Sequence, residues 1–196
     1  EPLTKIIIFN LFHLPPSIYE FVSSSKFIEL SYNSLIKYDP FHLKPVSLNF
    51  FRFIIQHPES KEIIQYLIDE DFINETSSFL DGDNFDAVLD YLLIINKMIE
   101  YATISASSIK NPEENQDCQY IQSNPGTIIK SISNSPQIIE NIERLIDELP
   151  QDLKELEENP NQDELIQNEL KQKQSIFELC QAIKAFCCQK DEDGES

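Results

Sequence analysis

The sequence predicts an all-α protein assembled from repeating helical units. Three observations carry that reading. Apolar residues recur at three- and four-residue steps through most of the chain, the period of a helix with one buried face. Only three glycines occur in 196 residues, too few for a nucleotide-binding α/β fold, a glycine-turned barrel or an elaborate loop-built active site. Short, medium and long helical segments also follow one another in the same order, with the long ones ending near His57, Tyr101 and Gln189.

Taken in order, residues 2–14 are nearly all apolar and fit either a strand or a buried helix; Pro2 in the first turn and the rest of the chain favour helix. Pro15-Pro16 breaks the chain, a short helix covers 17–23, and the serines at 23–25 can cap the next helix, over 26–38. Asp39-Pro40 stops it. A Phe-rich helix over 44–57 carries Val46, Phe50, Phe53, Ile54 and His57 at helical steps. Residues 59–71 are amphipathic through Ile63, Ile64, Leu67 and Ile68, and a shorter element follows over 72–80.

The strongest pattern is 84–107. Asp83 or Asn84 can cap it, and Val88, Leu92, Ile95, Ile99 and Ala102 form one stripe with Phe85, Leu89 and Leu93 as a second beside it. A helix apolar on two faces is expected to pack between neighbours. Residues 108–124 turn polar and read as a loop or insertion. Short helix 125–133 follows, then a helix from Pro136 with Ile138, Ile139, Ile142, Leu145, Ile146 and Leu149 on its apolar side, continuing with a kink past Pro150 to Leu156. Asn159-Pro160-Asn161 is a turn. The last long helix runs from Gln162 to about Gln189, lined by Leu165, Ile166, Leu170, Ile176, Leu179, Cys180, Ile183 and Phe186, and the charged tail over 190–196 is frayed.

These segments divide a single helical domain over 1–196 into approximate units 16–57, 59–101 and 125–189, with the insertion at 108–124. A period in the forties with two or three helices per unit is the signature of a helical solenoid, whose units bury their faces only by stacking. The middle unit, ESKEIIQYLIDED, FINETSSFLD and NFDAVLDYLLIINKMIEY, resembles an armadillo repeat, or more loosely a HEAT repeat. Asn96 falls where armadillo repeats commonly carry the asparagine that bonds to an extended peptide's backbone. Leu92 takes the place of a frequent tryptophan, and Glu70-Asp71 that of the glycine usual between the first and second helices. The resemblance implies a short right-handed superhelical stack that binds partners on the face of its third helices.

Composition limits function further. Fifteen Lys and Arg against thirty-four Asp and Glu leave a net charge of −19, which argues against an autonomous binder of nucleic acid or anionic membrane. The sequence shows no basic segment followed by an apolar stretch and a small-residue cleavage site, and no run of eighteen apolar residues, so a soluble protein or a soluble piece of one is expected. The start at Glu1-Pro2 rather than Met suggests a processed protein or a fragment of a longer chain, with the fragment the favoured expectation. Cys118, Cys180, Cys187 and Cys188 form no zinc pattern and are too sparse for a disulfide scaffold, so reduced thiols in the cytoplasm or nucleus are expected. Cys180 and Cys187, seven apart, should share a buried stripe with Cys188 more exposed.

Motifs with chemistry are few. LDGDNFD at 80–86 fails as a calcium loop, because counting from Asp81 puts Asp86 at the sixth position and Leu92 at the twelfth. Its carboxylates suit a helix N-terminus instead. Asn74-Glu75-Thr76 is a chance glycosylation match, and Ser135-Pro136 reads as a helix cap rather than a phosphorylation site. His42 and His57 lack a metal-binding spacing, and no GxSxG, P-loop or Cys-His arrangement occurs.

The expectation is therefore a non-catalytic scaffold, adaptor or regulatory subunit without cofactor or metal. Its partner would be a protein or basic peptide, with the acidic 147–164 region as a second candidate surface. Asn49, Arg52, Gln56, Asn96 and Glu100 are the candidate contact residues, hydrogen bonding to a partner's backbone and, for Arg52 and Glu100, matching charge. Arg52, set among Phe50, Phe51 and Phe53, fits equally an arginine snorkelling from a core helix. A structural segment of a larger solenoid or assembly is the alternative, favoured by the apolar run 6–12.

Overall fold

The computed structural model describes residues 25–36, 44–57, 60–109, 125–158 and 163–188. These form eight α-helices and one 3-10 turn, with no strand among the described residues. In chain order the helices are α1 (Ser25–Ile36), α2 (Lys44–Ile54), α3 (Lys61–Asp69), α4 (Phe72–Glu75), α5 (Phe85–Ile109), α6 (Pro125–Ser133), α7 (Pro136–Glu157) and α8 (Glu164–Cys188); the 3-10 turn Ser77–Asp81 lies between α4 and α5. The segments expected over 2–14, 17–23, 110–124, 159–161 and 190–196 lie outside the described residues.

Side-chain caps set two of the helix starts. Asn84 caps α5 by accepting the Ala87 N–H on Oδ1 at 3.3 Å, and Asp163 caps α8 by accepting the Ile166 N–H at 2.9 Å. Ser135 holds the cap position of α7 with Pro136 in the first turn, but its side chain makes no capping bond. Ser60 precedes α3 and donates instead to the Ile55 carbonyl at 2.7 Å, pinning the end of α2 to the start of α3. α7 continues through Pro150 to Glu157, although proline supplies no N–H to the Ile146 carbonyl one turn earlier.

The passage from α3 into α4 runs through Asp71, whose φ of 52° and ψ of 40° are left-handed. Glycine adopts that conformation without a Cβ penalty. Here Asp71 adopts it, within the Glu70-Asp71 pair that stands where the armadillo resemblance expects glycine, and its carboxylate accepts Asn74 Nδ2 at 2.9 and 3.1 Å.

The core begins as a chain of aromatic rings across four helices. Tyr32 of α1 meets Phe51 of α2, Phe51 meets Phe72 of α4, and Phe72 stacks on Tyr91 of α5, at centroid distances of 6.4, 6.3 and 6.1 Å. Both tyrosine hydroxyls end on backbone carbonyls, Tyr32 on Glu70 at 2.7 Å and Tyr91 on Ile73 at 2.6 Å. The apolar rings are thus buried without stranding a polar atom. The core continues through Ile128 and Ile132 of α6, Ile138, Ile142, Leu145 and Leu149 of α7, and Ile176, Cys180 and Ile183 of α8.

α5 runs through the middle, in contact with α2, α3, α6, α8 and the 3-10 turn. Its first stripe is fully inside, since Val88, Leu92, Ile95, Ile99 and Ala102 are all buried. The second stripe is not. Phe85, Leu89 and Leu93 are only half-buried. Leu165 departs from expectation in the same direction: on the lined face of α8, it is 78% exposed.

Candidate functional site

The half-covered stripe is the natural place to look for a site. At 100° per residue, the edge of α5 carrying Asp90 meets α2, and the edge carrying Phe85 meets α8. Leu89, Leu93, Asn96 and Glu100 lie on the arc between those edges. Ile104, 65% exposed, extends this surface toward the C-terminal end of α5.

At the α2 edge, Asn49 Nδ2 donates to Asp90 Oδ2 at 2.6 Å. Arg52 Nε lies 2.6 Å from Asp90 Oδ1, an ion-pair contact in which the N–H points outside hydrogen-bond geometry. The Arg52 guanidinium also covers the Phe53 ring, 4.0 Å from its centroid. Burial pushes the Asp90 carboxyl above its ordinary range; the Asn49 hydrogen bond and Arg52 work against that rise, and nearby Asp86 adds to it.

Asn49 and Arg52 are therefore engaged within the chain, holding α2 to α5 with one edge of the Arg52 side chain still in solvent. Asn96 and Glu100 sit apart from them on α5, where Asn96 Nδ2 donates to Glu100 Oε1 at 2.9 Å and Lys97 Nζ donates to Oε2 at 3.0 Å. Gln56 is exposed just past the end of α2. Leu92, at the position of the armadillo tryptophan, is fully buried and lines no surface.

At the α8 edge an open groove of about 730 Å³ runs between the first turns of α5 and α8. Leu89, Phe85 and Leu165 supply its apolar contact, and polar side chains line the rest, among them Asp83, Asp86, Asn168, Glu169 and Gln172. Gln172 Nε2 donates to Asp86 Oδ1 across it. Below, Lys173 is nearly buried, paired with Asp152 of α7 at 2.8 Å and Glu169 at 3.2 Å and placed over the Phe85 ring at 5.0 Å. Burial lowers the Lys173 pKa, but its bonds to Asp152 and Glu169 outweigh this, so its ammonium is held above the usual lysine value.

The remaining candidates serve the fold. Asp81 accepts bonds from Gln137 and Asn141 of α7, and Arg144 Nη2 donates to the Leu80 carbonyl at 3.0 Å, so the LDGDNFD segment fastens α7. Among the described residues no three His, Cys, Asp or Glu side chains converge as metal ligands. Cys180 is fully buried, and burial pushes its thiol up to about 12, far from a reactive thiolate. Cys187 is half-buried and Cys188 exposed.

Asp90 and Lys173 escaped sequence reasoning. Asp90 had a signal: it is a lone carboxylate in the run AVLDYLLII, where a buried acid demands a cation, and α2 offers one arginine. Lys173 had only part of one: Glu169 stands four residues before it, the spacing of a helical ion pair, but its other partner Asp152 lies on another helix inside a stretch crowded with acids.

Compared with family models, with curated proteins and with solved structures, the chain matches none.

Proposed function

We propose that the protein is a non-catalytic interaction module that binds a partner protein on the surface made by α2, α5 and α8. The observation that carries this is the second apolar stripe of α5. Phe85, Leu89 and Leu93 are half in water on the central helix, flanked by helices that could have covered them. Single exposed apolar residues are ordinary, but a row of them on one helix favours protein association.

In this reading α2, α5 and α8 are the third helices of successive units in a short right-handed stack. Their packing order, with α5 touching both α2 and α8, and the left-handed Asp71 within the pair at the repeat's glycine position support that arrangement. Asn96, Glu100 and Gln56 offer polar contacts around the apolar strip, whereas Asn49 and Arg52 hold the α2 side of it in place.

The test is capture of partners from the parent cells by the purified chain, compared with Asn96→Ala/Glu100→Ala and Gln56→Ala/Leu93→Ser, each checked by circular dichroism for native helicity. A discrete partner lost in either variant supports the reading. A partner retained at wild-type level by both, or no stoichiometric partner at all, would overturn it.

A further inference from the structure

We infer that the groove between the first turns of α5 and α8 is a docking site for a basic amphipathic helix of a partner protein. This rests on the interaction-module reading and names the partner's chemistry. The floor of the groove is apolar and incompletely covered: Leu89 and Phe85 are half-buried, and Leu165 stands 78% exposed beside them. Covering a side chain the size of leucine left that far in water favours association. Two helices flanking a trough accept a third helix through apolar anchors at i, i+3 or i+4, and i+7.

Charge selects among helices. Among the described residues the groove is lined by the carboxylates of Asp83, Asp86 and Glu169 and by no Lys, Arg or His. Lys173, beneath it, is committed to Asp152 and Glu169. The N-termini of α5 and α8 each add roughly half a positive charge, which Asp83 and Asp86 outweigh even with Glu169 paired to Lys173. A second copy of this chain is disfavoured, because its net charge of −19 would meet the same acidic rim. Anionic membrane is disfavoured for the same reason. A helix with leucine-like anchors on one face and Lys or Arg along their borders satisfies both the floor and the rim.

The test uses a fluorescent synthetic amphipathic helix of leucine and lysine, with leucine–glutamine and leucine–glutamate helices of the same pattern as controls. Binding by anisotropy should follow the order lysine, glutamine, glutamate. Asp83→Lys/Asp86→Lys and Leu165→Asp should each weaken the lysine helix at least tenfold. Glu155→Lys/Glu178→Lys makes the same change in net charge on exposed positions away from the groove and should change affinity less than twofold.

Equal losses in the two double variants would reduce the binding to diffuse attraction by an acidic protein and overturn the proposal. So would binding of the glutamate helix as tightly as the lysine helix. The same variants applied to the captured partner separate the two ideas. Capture that needs Asn96 or Leu93 but tolerates Asp83→Lys/Asp86→Lys and Leu165→Asp sinks the groove and leaves the module; capture indifferent to all of them sinks both.

Discussion

Both arginines of the chain, Arg52 and Arg144, work between elements. Arg52 balances a carboxylate that burial has made uncomfortable. Arg52→Ala should therefore cost about 2 kcal/mol at neutral pH, below the 3–5 kcal/mol of a fully buried pair because the Arg52 side chain is partly in solvent. The pH dependence has a definite sign. The folded Asp90 carboxyl is already raised by burial, and loss of the guanidinium raises it further. A carboxyl raised above its unfolded value costs stability above its folded pKa, and that cost disappears as pH falls through it. The deficit of Arg52→Ala should thus shrink as pH is lowered from neutral toward the ordinary carboxylate range near about 4, measured by urea unfolding across that range. A deficit that grows on acidification would contradict this.

Asp71 offers a second residue-scale test. A left-handed conformation costs non-glycine residues roughly 1–2 kcal/mol, less for Asp and Asn. Asp71→Gly should leave stability unchanged or raise it by about 0.5 kcal/mol, with glycine's entropy in the unfolded chain offsetting part of the relief. Asp71→Val, β-branched at positive φ, should cost about 2 kcal/mol. Thermal unfolding of the two variants checks the order.

Among elements, α7 tolerates what a helix normally rejects. Pro150 lies exposed inside it with no N–H to offer. The apolar face on either side, Leu145, Leu149 and Leu153, stays buried, and this packing holds the helix together across the missing bond. Pro150→Ala should stabilise the protein by about 1 kcal/mol or more, since interior proline costs a helix up to about 3 kcal/mol. No gain in unfolding midpoint would show that the packing, not the backbone bond, sets the stability of α7.

Helix extents were largely legible in the sequence, for local reasons. Prolines at 125 and 136, Asn84 and the stripes of Ile and Leu mark starts and faces that depend only on neighbours within a turn. The Phe72-to-Leu80 segment divides into α4 and a 3-10 turn, and α5 runs on to Ile109, two residues into the expected insertion. The central place of α5 was legible too, but which side chains pair or stay uncovered between helices was not. The second stripe of α5 implied cover that α2 and α8 leave incomplete, and Leu165 has the helical phase of a core residue without a neighbour to bury it. Asn49 and Arg52 were legible as special polar residues of α2, but their partner Asp90 lies some forty positions on. No local pattern joins them.

At the scale of the whole molecule, charge is the dominant feature. A net charge of −19 repels itself in the compact state, and screening shortens its reach to about 10 Å at 0.1 M salt. The unfolding midpoint should rise by roughly 3 °C between about 20 mM and about 300 mM sodium chloride, equivalent to about 1 kcal/mol for a domain of this size. A midpoint that falls with salt would mean that ion pairs such as Lys173 with Asp152 and Lys184 with Glu143 outweigh the general repulsion. The same charge would draw a basic partner toward the apolar strip before contact is made.

That strip is the centre of the account, and it can be probed in place. A photo-cross-linking amino acid substituted for Leu93, half-buried on the open arc of α5, would be irradiated in the parent cells beside the same substitution at exposed Glu178 on α8. The account predicts one discrete heavier adduct from position 93 and none of comparable yield from position 178. Cross-linking from 178 with 93 silent would place the interface elsewhere and contradict it.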